Sequence, residues 1–505
     1  MTPARADARV HRRRRKIRPS TYLIFFCAFA FTVFAIHLPY LSLPYFWDEL
    51  GQFVPAALDI LRQGAWVPTS AVPNVHPPGV MAYLALVWKI FGYSIPATRA
   101  AMLLLASLTV FFTFLLAIEL CRGVAGAPAF AAVLLLLADP LFYTQGMMAQ
   151  LDMPAMLFTV VALLFFLQGK YAYSTAACVA LVMAKETGAW VPLVFFCVLF
   201  LERQQKRATY FIAPFVPLAI WLWVLWRTTG HLFGDPGFAH YNLSYPLHPV
   251  RIALSLSRRI YDLYLANFRW IGALALIAAW LKHGLPRNRA ASVVLIVGAG
   301  HVLLVSVLGG ATLERYLLPV LPLLYIAMAA AFSILSRRWR IVGIAAMTAG
   351  LIASWFLNPP FPFPFENNLA MADFVQLQVS AAHVLEHKYA GDTIYTAWPL
   401  TAALRRPEFG YVSRGLRTME TSDLHESTLS RLDPAKVDVL VLYSRTWEPR
   451  WGVMRFGLVR RFLGHFYEYE PQMNSEEARR ILGLLPVARW ERHGQWVEIF
   501  AKPLQ

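Results

Sequence analysis

TYLIFFCAFAFTVFAIHLPYLSLPYFWDELGQF, residues 21–53, joins two kinds of chain in one stretch. The first part, from Thr21 to about Leu38, is an uncharged apolar run long enough for a membrane helix. The second places two adjacent carboxylates, Asp48 and Glu49, between Trp47 and Leu50 at what would be the bilayer edge. A charged group near a membrane interior costs about 2.5–3.5 kcal/mol on insertion scales, so such residues are kept for a purpose. RRRRK at 12–16 precedes the run and resembles a signal-peptide n-region. The run is too long for an h-region and lacks a small-residue cleavage site, so it is read as an uncleaved first helix.

The rest of the chain repeats this composition. Of 505 residues, 58% are hydrophobic and 15% charged, and the mean hydropathy is +0.49, which excludes an ordinary soluble protein. The formal charge is +17, but basic and acidic residues balance from Glu366 onward. The whole excess therefore belongs to the apolar part, which argues against nucleic acid as a partner. Four cysteines, Cys27, Cys121, Cys178 and Cys197, lie in or beside apolar runs with no CxxC pair, so neither a disulfide framework nor a zinc site is indicated.

Apolar runs predict spans near 21–38, 98–119, 124–138, 153–168, 172–184, 189–201, 208–226, 260–281, 291–308, 316–334 and 341–357. The expected fold is a polytopic α-helical membrane protein of about eleven spans with a small C-terminal α/β soluble domain. Basic loops recur at every second crossing: RRRRK, Arg122, Lys170, ERQQKR (202–207), LKHGLPRNR (281–289) and SRRWR (336–340). The positive-inside rule makes these cytoplasmic, and an odd number of crossings leaves the C-terminal part extracytoplasmic. The predicted organisation is a cytoplasmic arm (1–20), a transmembrane domain (21–357), a proline-rich linker (358–368) and an extracytoplasmic domain (369–505). The location expected for such a chain is the plasma (inner) membrane.

The opposite face collects Asp48, Glu49, His76, Asp139, Asp152, Lys185, Glu186, Glu314 and Arg315. Each alone has a bland reading. Glu49 or Asp152 can cap a helix, and Asp139-Pro140 can close a span as a turn. Lys185 and Arg315 can pair with Glu186 and Glu314 or snorkel to the interface, and His76 can be an isolated histidine. Their common side favours an outward-facing polar site. Residues 40–97 are too long and too apolar for a plain loop. Within them ELGQFVPAALDILRQG (49–64) has helical amphipathic spacing, and PPGVMAYLALVWKIFG (77–92) runs from helix-start prolines to a helix-stop glycine. The first is expected as a short amphipathic helix lying along the surface, with Gln52, Asp59, Arg62 and Gln63 on its polar face. At about 1.5 Å per residue the second reaches roughly 20–24 Å, so it is expected as interfacial or re-entrant, with a tilted span as the alternative.

The order of motifs on that side resembles a known family. YFWDE (45–49), HPPG (76–79), AQLDMP (149–154), KETG (185–188) and ERYLLPVLP (314–322) together resemble the C-type glycosyltransferases. The match is to the protein O-mannosyltransferase and lipid A aminoarabinosyltransferase branch, over roughly residues 20–335. That resemblance implies transfer of a sugar from a polyprenyl-phosphate carrier to an acceptor hydroxyl, of a protein, lipid or glycan, on the extracytoplasmic face. It implies Asp48 as the catalytic aspartate and Asp152 as a second site acid that positions the acceptor or a divalent metal ion. Glu49, next to Asp48, is the neighbour that orients it or binds a cation with it. Lys185 and Arg315, at the outer ends of spans, are the candidate phosphate contacts, and His76 and Glu186 are candidate substrate contacts beside them. The aminoarabinosyltransferases carry an acid–lysine pair where this chain has Val75-His76, which leaves open the sugar and any metal there.

The chemistry suits these residue types. A sugar on a lipid phosphate already has its leaving group, so what remains is proton removal from the acceptor and neutralisation of the departing phosphate. A carboxylate does the first; arginine or lysine in a dry place does the second. Arg258, Arg259 and Arg269 are further cations that no spacing singles out. A transporter or flippase of a lipid-linked sugar is the alternative, although no internal repeat supports it. In the C-terminal part, 372–389 reads as a helix, DTIYTAW (392–398), VDVLVLYS (437–444) and WVEIFAKP (496–503) as strands, and SEEARRILGLL (475–485) as a helix capped by its serine.

Overall fold

A computed structural model describes residues 19–357, 366–445 and 452–503. The basic arm at 12–16 and the linker residues 358–365 lie outside these. Among the described residues, five helices are long and apolar enough to cross a membrane: Ser20–Tyr40, Ile95–Leu120, Gln205–Thr229, Arg289–Val307 and Glu314–Phe332. A sixth crossing is available if Pro128–Ala138 and Pro140–Met147, bent by 67°, count as one. This is fewer than the eleven expected. Four of the other apolar runs form the shorter helices Asp152–Leu167, Tyr171–Ala184, Glu186–Leu201 and Trp270–His283, and the last forms Arg337–Ala353. Three of those helices start or stop at the polar residues Asp152, Lys185 and Glu186, where the chain turns into a common centre.

The run at 260–281 is the exception to the predicted boundaries. Asn267 (φ 53°) and Phe268 (φ 61°) adopt left-handed backbone and split it into Pro249–Tyr264 and Trp270–His283. The first of these is amphipathic, with Arg259 and Asp262 buried and Ile260, Tyr261 and Tyr264 exposed.

In the first long loop, Trp47 is left-handed (φ 47°), Glu49–Phe53 winds as one wide π-type turn, and Val54–Gln63 continues as an α-helix. The helix was expected to lie along a surface with Asp59 on its polar face. Instead Val54 to Asp59 are buried, and the Asp59 carboxylate accepts from the Thr69 and Ser70 amides at 2.8 Å. The second expected helix forms as Gly79–Phe91 and ends at Gly92.

The C-terminal part builds a five-stranded sheet ordered β2-β1-β3-β5-β4, from β1 (Ile394–Ala397), β2 (Thr418–Thr421), β3 (Val439–Tyr443), β4 (Leu485–Arg492) and β5 (Gln495–Ala501). β1 runs parallel to β2 and β3, while β5 is antiparallel to β3 and β4. β3, apolar on both faces, is buried throughout, as a central strand should be. The cap of the helix at 475 is Asn474 rather than Ser475: its side chain accepts from the Glu477 amide while Glu477 reaches back, a full capping box.

This sheet domain is bound to the first loop. The Tyr45 amide donates to the Phe409 carbonyl at 3.4 Å, and the Tyr411 hydroxyl donates to the Tyr45 carbonyl at 2.7 Å. Trp398 meets Trp47 edge to face at 5.2 Å and covers Gly51, where a Cβ would lie 2.7 Å from the indole ring.

Candidate active site

Four segments place charged side chains around one guanidinium. Arg315, at the start of Glu314–Val320, is 4% exposed. Its Nη2 donates to Asp48 Oδ2, its Nη1 lies 2.7 and 2.6 Å from the two carboxylate oxygens of Glu366, and its Nε faces Asp152 Oδ2 at 3.2 Å. Lys185 closes the group, with Nζ 2.5 Å from Asp152 Oδ1 and 4.1 Å from the centre of the Tyr316 ring. Asp152 does not cap its helix, since its side chain makes no cap hydrogen bond and is spent on the two cations. Two cations thus stand against three carboxylates in a nearly water-free place.

The expected residues divide into three groups. Asp48, Asp152, Lys185 and Arg315 come together as described. His76 and Glu186 form a pair beside them, with Nδ1 2.8 Å from Oε2. Glu49 does not join. It is fully enclosed with Arg99, whose Nη1 lies 2.5 Å from Oε1, and it also accepts from the Phe46 amide at 2.8 Å and the Ala149 amide at 2.6 Å. Arg99 further donates to the carbonyls of Leu43, Pro44 and Met147. Glu49 therefore fastens the loop that carries Asp48, and turns away from the group because its neighbour in sequence points the other way.

A second buried cluster lies alongside. Arg269 donates to Asp139 Oδ2 at 2.6 Å and to Glu314 Oε1 at 3.0 Å, and the Tyr325 hydroxyl also donates to Asp139. Asp139 caps the helix Pro140–Met147 as well, accepting from the Leu141 and Phe142 amides. Asn367 Nδ2 reaches Glu314 Oε2 at 2.5 Å, so the neighbours Glu366-Asn367 grip the neighbours Arg315 and Glu314. Arg259 is taken up by the carbonyls of Val305 and Leu313.

A cavity of about 380 Å³ opens next to Lys185. His76, Lys185, Glu186 and Tyr316 line its polar end, and Trp190, Phe215, Leu222 and Leu304 are among the residues of its apolar walls. Such a shape suits an anionic head on a hydrocarbon tail.

The donor set does not suit a divalent metal ion at Asp48, Glu49 and Asp152. Asp48 and Asp152 face Arg315 and Lys185, Glu49 faces Arg99, and the described residues hold no grouping of three His, Cys, Asp or Glu side chains that could ligate one. Positive charge is already supplied by side chains.

Glu366, Gln150, Tyr316 and Arg99 were missed from sequence. Arg99 carried a usable signal, a lone arginine at the mouth of an apolar run. Glu366 carried none, standing at the end of a proline-rich linker.

No family model matches the chain, and no curated protein does either. Solved structures do. ArnT from Cupriavidus metallidurans, solved with undecaprenyl phosphate bound, superposes with a TM-score of 0.56 at 16% identity, covering 95% of this chain and 98% of that one. The oligosaccharyltransferase AglB from Archaeoglobus fulgidus, solved with an inhibitory peptide and a dolichol-phosphate, gives 0.50 at 10% identity over 83% of this chain and 69% of its own. The chain has the C-type glycosyltransferase fold.

Proposed function

We propose that this chain is an integral-membrane glycosyltransferase that moves a sugar from a polyprenyl-phosphate carrier to an acceptor hydroxyl on the extracytoplasmic face. The observation that carries this reading is the adjacency of an apolar cavity headed by Lys185 to the Asp48–Arg315–Asp152 group. The alternation of basic loops supports a cytoplasmic N-terminus and an extracytoplasmic C-terminal domain. ArnT and AglB, which share the fold, were solved with lipid phosphates.

In this reading the carrier's first hydrocarbon units fill the cavity and its phosphate meets Lys185 and Arg315. Asp48 accepts the acceptor's hydroxyl proton as that oxygen attacks the anomeric carbon. The bond from that carbon to the phosphate oxygen breaks, and the electron pair leaves with the phosphate, whose charge the two cations stabilise. Asp152 holds both cations in position. His76, oriented by Glu186, is a further hydrogen-bonding group at the polar end of the cavity.

The test is to incubate the purified full-length protein with a panel of labelled polyprenyl-phospho-sugars and follow release of the free polyprenyl phosphate. One donor should react, and Asp48→Asn should lower release by about 10²–10⁴-fold while the donor stays bound. Movement of the lipid across a bilayer that survives Asp48→Asn, with no release from any donor, would establish the flippase alternative.

A further inference from the structure

Glu366 is the carboxylate of the site that the proposed reaction leaves without a task. It is 8% exposed, and its own carbonyl and the following residue Asn367 are both held. Its carbonyl accepts from the Thr144 hydroxyl at 2.8 Å and Gln145 Nε2 at 3.0 Å, and Asn367 is held by Glu314. Its carboxylate oxygens lie on Arg315 Nη1, and Oε2 accepts from Gln150 Nε2 at 3.2 Å. Gln150 is fully buried.

Both terminal nitrogens of Arg315 are hydrogen-bonded to carboxylates, Nη1 to Glu366 and Nη2 to Asp48, while Nε lies 3.2 Å from Asp152 without a hydrogen bond. A phosphate reaching either terminal nitrogen therefore meets a carboxylate already seated there. Charge raises the same obstacle. Adding an anion to three carboxylates and two cations in a place of low dielectric is strongly unfavourable. One carboxylate has to yield. Asp152 anchors Lys185 and Arg315 together, and Asp48 is the base. Only Glu366 can withdraw without dismantling the remaining constellation, and burial already pushes its carboxyl above the ordinary range, which favours the uncharged form.

We infer that the cradle of Arg315 Nη1 and Gln150 Nε2, now filled by the Glu366 carboxylate, is the seat of the donor's phosphate, which enters by displacing Glu366. This rests on the donor being a lipid phosphate. Glu366 is then a resident substitute for the ligand, and donor affinity is set by the fraction of molecules in which it has let go.

The experiment measures binding of undecaprenyl phosphate to the full chain in nanodiscs. Glu366→Gln, which removes the competing charge, should bind roughly tenfold tighter than wild type. Asn367→Ala loosens the same segment through Glu314 without touching the cradle, and should shift affinity in the same direction, which keeps the test alive if the first variant folds poorly. Unchanged or weaker binding in both variants would overturn the inference, because a residue that merely braces Arg315 would weaken binding when lost. Failure of wild type and every variant to bind the lipid phosphate would remove the donor reading itself, and this inference with it.

Discussion

Asp48 and Glu49 are consecutive, yet their carboxylates serve separate partners: Asp48 meets Arg315 in the polar centre, and Glu49 is sealed against Arg99 in the wall of the bundle. The left-handed Trp47 and the wide turn at Glu49–Phe53 point the two side chains apart. The pair is thus divided between the polar centre and the scaffold.

Exchanging the two acids should separate those roles. Asp48→Asn should lower turnover by about 10²–10⁴-fold with the thermal transition kept. Glu49→Ala leaves Arg99 buried without its counter-charge, held only by the Leu43, Pro44 and Met147 carbonyls, and should cost roughly 3–5 kcal/mol of stability. Thermal unfolding in detergent beside a turnover assay checks both; equal stability of the two variants would refute the division.

Lys185 heads the apolar cavity and touches Asp152 at 2.5 Å. Lys185→Ala removes a charged hydrogen-bond donor worth about 1.5–3 kcal/mol, so carrier-lipid affinity should fall roughly ten- to a hundredfold. Titration with a polyprenyl phosphate measures it.

Chelation offers a simple control. With Arg315 and Lys185 already facing Asp48 and Asp152, transfer should survive prolonged treatment with EDTA. Activity lost to EDTA and restored by a divalent ion would contradict the assignment of charge to these side chains.

Gly51 lies under Trp398, and a methyl group there would come within 2.7 Å of the indole. Gly51→Ala should cost about 1–3 kcal/mol by overpacking. Earlier release of the C-terminal domain in limited proteolysis should accompany it, and trimming the ring with Trp398→Leu should restore part of the loss.

Asp262 gives a pH signature. It lies on the amphipathic helix Pro249–Tyr264, with Arg258 no nearer than 3.9 Å. Burial first, and then the charge of Glu314, push its carboxyl up to about 7 against the pull of Arg258, Arg269 and Arg259. A raised folded value means that the folded state holds the proton more tightly. This group's stabilisation is therefore complete below about pH 4, its ordinary range, and is lost as pH rises through about 7. Asp262→Asn should flatten that decline in melting temperature.

Local pattern showed where apolar chain begins and ends, and several polar residues of the site sit at those ends: Asp152 opens a helix and Lys185 follows one. Hydropathy averages, however, do not register a backbone turn such as Asn267-Phe268, so 260–281 read as one span. Nor does spacing report partnership. Arg315 meets Asp48 across 267 positions and Glu366 across 51, and nothing near Glu366 distinguishes it from any other acid after prolines. Glu49 was misplaced for the same reason, since its role is set by Arg99, 50 residues on.

The hydrogen bonds between Tyr45 and the Phe409–Tyr411 segment have an evolutionary reading. The segment leading into Asp48 is held by the Phe409 carbonyl and the Tyr411 hydroxyl, so grafting a foreign tail onto this membrane portion should shift Asp48 even if every membrane helix were preserved. A change in one of these two segments therefore calls for a matching change in the other if the contact is to be kept.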